Sequence, residues 1–461
     1  MKVNVIISNP ARIGKFADIK LSFVDTSGQT RIVSLQVSYQ ELKDFSNDTT
    51  SVAFDFFLFS TLVYGIDNLL ERYQYSIDGW ARDIEVCFPV NNLDIWQKVE
   101  VDFTALLTFL TGDYWTISFE QIKNVIFFTD RANRRQSRIP NYTLANYSFA
   151  SLYSGGLDSL VGVIDGLSQL AIGDKALLLS HFDSSSPGPN GDQVRIENYF
   201  GRNVKTKGRY DWLQTVVALD NHDSNHTELL KEASFRSRSL LFIGIALFCV
   251  ELLPNCSVLT IPENGTISLN YPLTPSRTST LSTRTTHPHY LAELQKIIYS
   301  LGLTTTLINP YKTTTKGELV EQCLNQSQLS DTFSMSVSCG KRGRKMHWDT
   351  KSGTHHCGIC MPCIYRRAAL HKLNMDTQLY GIDIFTTPNN IFDNYDFPAL
   401  FDFLNARLTT EKIKRTLLVA GSIPFDEIDA SASMVVRVRD EIKAWIRDKG
   451  NTNLKKLSGA Q

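Results

Sequence analysis

A chain of 461 residues exceeds what one hydrophobic core usually organises, so the sequence predicts two or three domains. Hydrophobic residues make up 43% and aromatic residues 11%, as in a folded soluble protein, and no stretch reaches the roughly 18 to 20 uninterrupted apolar residues of a membrane span. With 47 basic and 47 acidic side chains the formal charge is zero, which disfavours a nucleic-acid substrate and favours a small molecule or a protein.

The N-terminal stretch MKVNVIISNPARIGKF has neither a long apolar region nor a small-residue cleavage site. It does not have the composition of a signal peptide. We therefore expect a cytoplasmic protein with no membrane partner.

Residues 1–143 are predicted to form an α+β domain of their own. Strand-like alternation occurs in residues 20–39, 83–90 and 114–119, and a helix-like run covers residues 57–73. This region contains no recognisable catalytic constellation, which leaves docking of a partner protein as one role for it. Its end, residues 129–141, is polar and basic and is interpreted as a linker.

Residues 144–375 alternate between short apolar runs and longer amphipathic stretches. Strands are predicted at 147–153, 175–182, 213–220, 257–262 and 304–310, and helices at 157–171, 237–253, 287–302 and 316–325. Short apolar runs between helices indicate a parallel sheet covered on both faces, and right-handed crossovers make such a sheet doubly wound. Residues 376–461 are predicted to be a mostly helical extension.

The sequence YSGGLDS lies between the first of these strands and the first helix. Such a turn can present several backbone N–H groups to an anion at the helix N-terminus, and Asp158 could hold a magnesium ion. The alternative is an ordinary tight connection, but the pattern and its context favour a phosphate site. It is not a Walker loop, since no Gly-Lys-Ser/Thr follows. We call residues 154–159 the glycine loop; its candidate binding residues are Ser154, Gly155, Gly156, Leu157, Asp158 and Ser159.

Four of the eight cysteines, Cys339, Cys357, Cys360 and Cys363, occur close together in the sequence. A CxxCxxC segment can present three thiolates from one turn, and the fourth arrives from across a loop, as in structural zinc sites. An iron–sulfur cluster, substitution by His347, His355 or His356, and free thiols in a flexible loop are the alternatives.

The glycine loop resembles the Ser-Gly-Gly-x-Asp-Ser motif of the PP-loop ATP pyrophosphatases. The resemblance implies an α/β fold of the PP-loop (HUP-like) type that splits ATP between its α- and β-phosphates. It implies that Ser154, Gly155, Gly156, Asp158 and Ser159 hold the pyrophosphate end, and that His181, Phe182 and Asp183 lie near the adenine. From its position alone, His181 is more typical of a hydrogen-bonded core residue.

The combination of this motif with the cysteine cluster and a following basic pair resembles the 7-cyano-7-deazaguanine synthases (QueC). In residues 147–370, FRSRSLLF resembles that family's Arg-containing helix start and places Arg238 at the arginine, and KGE places Lys316 and Glu318 at the family's Lys-x-Glu. Arg366 or Arg367 matches the arginine after the last cysteine. The chain departs from QueC in its longer cysteine loop and its first 140 residues. In length and in the segments PENG and STRTTHP it resembles the QatC type of bacterial anti-phage (Qat) systems.

The resemblance implies an enzyme that uses ATP and Mg²⁺ to adenylate the carboxylate of a 7-deazaguanine-type base, followed by attack of an amine. Asp158, Lys316 and Arg238 are the candidate catalytic residues, and a co-encoded protein is the expected partner. Glu263 and Asn264, after the fourth strand, are candidates to read the base or bind metal. Residues 274–286, rich in Ser and Thr with Arg277 and Arg284, are either a solvated loop or a lid over the phosphates.

Two other functions stay open at this point. The first is a PP-loop enzyme that modifies tRNA, which requires a catalytic cysteine and a basic surface that the sequence does not clearly provide. The second is a non-catalytic subunit that senses a nucleotide within a larger defence complex.

Overall fold

The computed structural model describes residues 1–12, 14–127, 142–183, 188–234, 236–274, 284–386, 389–393 and 395–460. The predicted linker at 129–141 lies outside these described residues. So do residues 275–283 of the Ser/Thr-rich segment, including Arg277.

The strands alternate apolar and polar residues in the first part of the chain and are more continuously apolar later. They are β1 Lys2–Ser8, β2 Asp18–Val24, β3 Thr30–Val37, β4 Asp83–Val90, β5 Tyr114–Gln121, β6 Tyr147–Leu152, β7 Lys175–Phe182, β8 Tyr210–Leu219, β9 Val258–Thr260 and β10 Thr306–Ile308.

Helices connect the later strands and make up most of the regular structure after residue 310. They are α1 Val52–Leu69, α2 Arg72–Tyr75, α3 Leu93–Trp96, α4 Glu100–Thr111, α5 Leu157–Gln169, α6 Gly188–Arg202, α7 Arg238–Val250, α8 Gly265–Leu269, α9 Pro288–Ser300, α10 Lys316–Glu321, α11 Gln326–Thr332, α12 Met361–His371, α13 Phe397–Asn405, α14 Thr410–Ala420, α15 Ile428–Lys449 and α16 Thr452–Ser458.

The described strands form one ten-stranded sheet in the order β10-β9-β6-β7-β8-β3-β2-β1-β4-β5. All neighbouring pairs are parallel except β1–β2, β2–β3 and β3–β8. The predicted α/β class with a mostly parallel sheet is therefore confirmed. Within it, β9 pairs with β6 on the side opposite β7, so the strand order reverses beside β6. In doubly wound sheets, ligands bind beyond the carboxyl ends of the strands at such a reversal.

The first 143 residues share a sheet and a core with the region that follows. Val37 of β3 pairs with Val217 of β8, and α1 packs against α7 within one apolar cluster. The two helices approach closely at Gly244, where a Cβ would lie 2.0 Å from Oγ of Ser60. The boundary at residue 143 stays a prediction, but the strands on its two sides are hydrogen-bonded neighbours.

Helix α1 is the one described helix that is long and apolar enough to cross a membrane by composition. It lies in the core with 94% of its residues buried, as the central helix of a soluble protein does.

The helices after residue 390 pack into a second apolar cluster around Trp445 and Leu404. This cluster also contains Cys357, Cys360 and Cys363, and it joins the C-terminal helices to the cysteine loop. The predicted helical character of residues 376–461 agrees with α13 to α16.

Candidate functional site

The glycine loop joins β6 to α5 at the point where the strand order reverses. Gly155 has φ +81°, a conformation that favours glycine, and a Cβ there would lie 3.2 Å from the backbone nitrogen of Gln193 and 3.3 Å from Cβ of Asp192. Gly156 precedes the first residue of α5, Leu157, so the loop runs directly into the helix N-terminus. Backbone N–H groups at such a terminus attract anions.

The two serines of the loop bond to the loop itself. Oγ of Ser154 and Oγ of Ser159 are 3.1 Å apart, the N–H of Gly156 donates to Ser154 Oγ at 3.3 Å, and Ser159 Oγ donates to the carbonyl of Gly156 at 3.1 Å. These contacts hold the loop in one conformation.

Residues 337 and 338, which the sequence analysis did not single out, complete the loop. The N–H of Val337 donates to the carbonyl of Gly155 at 3.1 Å, and the N–H of Leu157 donates to Oγ of Ser338 at 3.4 Å. Their one sequence signal is that they directly precede Cys339. The segment before the cysteine cluster is therefore part of the candidate site.

Asp158, within the glycine loop, is buried and is held by residues from two distant parts of the chain. Its Oδ1 accepts a hydrogen bond from Nζ of Lys316, and its Oδ2 accepts from Nδ2 of Asn264. Burial opposes the charge on Asp158. The Lys316 ammonium and hydrogen bonds from Glu263, Lys316 and Asn264 outweigh it, so the pKa of Asp158 lies below its usual value.

Glu263 has the opposite electrostatic situation. Burial, the neighbouring negative charge of Asp158 and the hydrogen bond between the two carboxyl groups raise the pKa of Glu263 well above its usual value. The hydrogen bond between the two carboxyl groups therefore joins one whose surroundings favour the protonated form, Glu263, to one whose surroundings favour the ionised form, Asp158.

Helix α15 reaches into the same site from the C-terminal region. Oε2 of Glu441 accepts a hydrogen bond from the N–H of Gly317 at 3.3 Å, and Oε1 accepts from the hydroxyl of Thr315. Thr315 is the N-cap of α10, and its side chain forms a capping box with Glu318. Together these contacts position Lys316, the first residue of that helix.

Asp158, as arranged, does not fit the predicted magnesium ligand. Both carboxylate oxygens accept hydrogen bonds, one from the Lys316 ammonium and one from the Asn264 amide. Mg²⁺ prefers several anionic or neutral oxygen ligands. Magnesium binding stays a prediction, and no step of the proposed reaction depends on it.

A cavity of about 350 Å³ opens over the glycine loop at the carboxyl ends of β6 and β9. Among its lining residues are Ser154, Gly156, Ser159, Glu263, Arg238 and Arg342. Thr285 and Thr286, the end of the Ser/Thr-rich segment, also line it. The cavity thus brings the glycine loop together with two guanidinium groups.

Other candidate residues lie behind or beside this cavity. Lys316 and Asn264 both bond to Asp158, and none of these three is among the described residues that line the cavity. Arg284 instead donates to the carbonyl of Phe109 at 3.0 Å and stacks over its ring.

His181, Phe182 and Asp183 do not line the cavity in the described structure. His181 is buried, with Nε2 2.8 Å from the carbonyl of Val217, and burial together with the charge of Arg238 lowers its pKa to about 3. Asp183 accepts a hydrogen bond from Tyr64. His181 therefore has the surroundings of a neutral core histidine.

The four clustered cysteines converge beside the cavity. Their Sγ atoms all lie within 4.8 Å of one another, and those of Cys357 and Cys363 are 3.8 Å apart. A tetrahedral zinc ion with bonds of about 2.3 Å to sulfur requires sulfur separations of about 3.8 Å. Backbone N–H groups of Cys357 and Cys360 donate to Sγ of Cys339 and Cys357 at 3.3 Å, as thiolate ligands require. The four thiols can therefore hold a metal ion such as zinc.

The three neighbouring histidines are not part of this cluster in the described residues. His356 is buried against Tyr380, and its Nε2 accepts from the N–H of Ser338 at 3.4 Å. It thus connects the cysteine loop to the segment that completes the glycine loop.

Arg366 and Arg367 follow the last cysteine on α12, and neither lines the cavity among the described residues. Arg366 is fully buried and donates to the carbonyl of Phe333 at 2.7 Å and to Oγ of Ser336 at 3.0 Å. Arg367 pairs with Asp376. Arg366 therefore anchors the segment that leads into Val337 and Ser338.

No protein-family model matches this chain, and no curated protein matches it.

Proposed function

We propose that this chain is an ATP-dependent ligase that adenylates a carboxylate and then transfers the acyl group to an amine. The observation that carries the proposal is the glycine loop, which begins a helix where the strand order reverses and lines a cavity of about 350 Å³. A doubly wound sheet binds nucleotides at this place, and the loop's N–H groups suit phosphate. Its resemblance to the PP-loop motif supports ATP as the nucleotide.

The reaction has two steps. A carboxylate oxygen of the acid attacks the α-phosphorus of ATP, and the bond to the β-phosphate oxygen breaks with its electron pair leaving on pyrophosphate. The amine nitrogen then attacks the acyl carbon, AMP leaves with the electron pair of the carbon–oxygen bond, and the nitrogen loses a proton. The product is an amide. A nitrile requires a second ATP, which activates the amide oxygen for departure as AMP.

The residues of the site would act mainly by position and charge. The N-terminus of α5, which the glycine loop begins, would stabilise negative charge on the phosphates. Lys316 compensates the charge of Asp158 behind the cavity wall, while Glu263 offers its carboxyl group at that wall. Arg238, which lines the cavity and stacks on Phe242, is suited to an acidic or planar substrate.

The resemblance to the 7-cyano-7-deazaguanine synthases suggests a 7-deazaguanine-type acid as substrate. The resemblance to QatC-type proteins suggests anti-phage defence and a co-encoded protein as partner, whose amino group would replace ammonia. The metal centre would be structural, since four thiolates leave no open position on a tetrahedral ion.

The first experiment is to measure AMP and pyrophosphate release by the purified protein. The assay contains ATP and 7-carboxy-7-deazaguanine, with and without ammonium and with and without the partner, and mass spectra are taken of all components. AMP that appears only with the acid supports adenylation. A mass gain on the partner supports a protein-modifying ligase, and the absence of AMP under every condition contradicts the proposal.

The matched variants are Asp158→Asn and Asp165→Asn. Both aspartates lie on α5, and neither lines the cavity among the described residues. Asp158 bonds to Lys316 and Asn264, whereas Asp165 accepts a hydrogen bond from Tyr311 at 2.7 Å. We expect Asp158→Asn to abolish AMP release and Asp165→Asn to retain it. Equal activity of the two variants would contradict a role for the glycine loop.

A nucleotide-sensing subunit without ligase activity is the second candidate. It is favoured by one observation: Asp158 and Lys316 are both buried and bonded to each other, as in a structural ion pair. Stoichiometric ATP binding and a stable complex with a partner, without AMP release, would support this function.

A further inference from the structure

One carboxylate beside the glycine loop is shared by two arginines. Oδ1 of Asp192, on α6, pairs with Arg195 at 2.5 Å, and Oδ2 pairs with Arg342. The Asp192 side chain is only 4% exposed, whereas those of Arg342 and Arg195 are 22% and 38% exposed. Two guanidinium groups against one carboxylate leave this cluster with an excess of positive charge.

The cluster contacts the glycine loop directly. Cβ of Asp192 is so close to Gly155 that a Cβ on this glycine would lie 3.3 Å from it. Asp192 and Arg342 also line the same cavity as Ser154 and Gly156, whereas Arg195 does not. Arg342 therefore presents its charge to the space above the glycine loop.

Arg342 is better placed than Lys316 to present positive charge to the cavity. The Lys316 side chain is 5% exposed and pairs with Asp158, and neither is among the described residues that line the cavity. Asp192 is the one acidic group paired with Arg342 in the described structure. Nδ1 of His355 lies 3.5 Å from Nη2 of Arg342.

The loop that carries the four cysteines also places this arginine at the cavity. Arg342 begins a 3-10 helix shortly after Cys339, and Cys339 itself lines the cavity. Val337 and Ser338, on the other side of Cys339, bond to the glycine loop. The loop held by the four cysteines thus contacts the glycine loop before Cys339 and carries a cation to the same cavity after it.

We propose that Arg342 binds the β- and γ-phosphates of ATP and stabilises the pyrophosphate as it leaves. This rests on the proposed function, in which the electron pair of the broken phosphorus–oxygen bond departs on pyrophosphate. A guanidinium presents several donors in a plane and binds phosphate oxygens in pairs, while Asp192 fixes its orientation. Arg342 is then a residue that contacts substrate, and Asp192 is its positioning residue.

Titration calorimetry with three probes tests this assignment. The probes are inorganic pyrophosphate, α,β-methylene ATP and AMP, which lacks the β- and γ-phosphates. We expect Arg342→Ala to lower the affinity for pyrophosphate and for the ATP analogue by roughly 10- to 100-fold, because hydrogen bonds to charged phosphate groups are lost. The affinity for AMP should stay within about twofold of the wild-type value. Arg342→Lys should give an intermediate loss.

Arg195→Ala is the matched control, since it removes the other arginine of Asp192 without touching the cavity. It should change pyrophosphate affinity by less than about threefold. The inference is overturned if the wild type does not bind pyrophosphate or if Arg342→Ala binds it with wild-type affinity. It is also overturned if Arg342→Ala loses as much affinity for AMP as for pyrophosphate. An equal loss in Arg195→Ala would also overturn it, since the effect would then be one of general charge.

Binding and turnover separate this inference from the proposed function. Pyrophosphate binding that depends on Arg342, in a protein that releases no AMP with any acid, would contradict the ligase and retain the phosphate contact. AMP release by an Arg342→Ala protein with wild-type pyrophosphate affinity would retain the ligase and overturn the contact. Unchanged metal content and thermal unfolding in each variant would show that the fold is intact.

Discussion

The hydroxyl of Tyr64, on α1, donates a hydrogen bond of 2.7 Å to Oδ2 of Asp183 at the carboxyl end of β7. The Tyr64 ring also packs edge-on against His181, with centroids 5.1 Å apart. These contacts join the first 143 residues to the strand ends that the resemblance associates with adenine. The N-terminal region therefore helps to build the interior beside these strand ends.

Replacing Tyr64 by Phe removes the hydroxyl and leaves a buried carboxylate with one donor fewer. We expect the free energy of unfolding to fall by about 1–3 kcal/mol, as for other buried hydrogen bonds to charged groups. Urea unfolding measures this, and Tyr73→Phe, at a tyrosine that is 88% exposed, is the control and should change nothing. Equal stability of Tyr64→Phe and the wild type would contradict a buried hydrogen bond.

Replacing one residue of the Asp158–Lys316 pair should lower the free energy of unfolding more than replacing both. Lys316→Met leaves a buried carboxylate without its cation, and the expected loss is about 3–5 kcal/mol. The double variant Asp158→Asn, Lys316→Met should recover part of this stability because no uncompensated charge remains. Chemical denaturation measures the cycle, and a double variant less stable than either single one would show that the two residues do not act as a pair.

The raised pKa of Glu263 predicts a dependence of stability on pH. Above its usual value of 4.5 the unfolded chain has released this proton while the folded chain still holds it. Stability from this group is therefore fully present below that value and is lost as the pH rises through the higher pKa of the folded state. Glu263→Gln, whose amide can still donate to Asp158, should remove this part of the slope.

Unfolding free energies of both proteins, measured from about pH 5 to pH 9, test this linkage. Glu293→Gln is the control, since Glu293 pairs at the surface with Lys296. An identical slope in the wild type and Glu263→Gln would mean that Glu263 is ionised in the folded protein.

The cysteine cluster should bind one metal ion per chain. Cys363→Ser is expected to lose the metal and to lower the Tm by about 5 °C or more, because metal binding contributes directly to folding. Cys87→Ser, outside the cluster, should keep full metal content. Elemental analysis distinguishes zinc from iron, and metal-free wild-type protein with an unchanged Tm would contradict a structural metal site.

The sequence predicted those parts of the fold that leave a local pattern. The apolar runs of β6, β7 and β9 and the CxxCxxC spacing are such patterns. Helix α6 was not predicted, because its sequence, GPNGDQVRIENYFGR, begins with glycine and proline and contains few apolar residues. It carries Asp192, so the sequence analysis also missed the arginine cluster.

The sequence analysis named Lys316, Glu263 and Asn264 as candidates, but it did not predict that Lys316 and Asn264 bond to Asp158. Ser154 to Ser159 are contiguous and carry a motif, but nothing near Asp158 in the sequence indicates that Lys316 occupies its carboxylate. That contact joins residues 158 positions apart and exists only once the sheet has formed. Arg342 was not predicted for a similar reason. The sequence shows that it follows Cys339 closely, but it does not show the cavity that Arg342 lines.

The antiparallel seam between β3 and β8 also governs how this chain must fold. Gln36 and Asp220, which bond across it, are 184 positions apart. During synthesis β3 leaves the ribosome long before β8 has been made. The edge of β3 that pairs with β8 therefore stays unpaired during that time. Such long-range pairing slows folding and exposes a nascent chain to aggregation. The pairing of β3 with β8 therefore makes completion of the sheet depend on residues that are synthesised about 180 positions later.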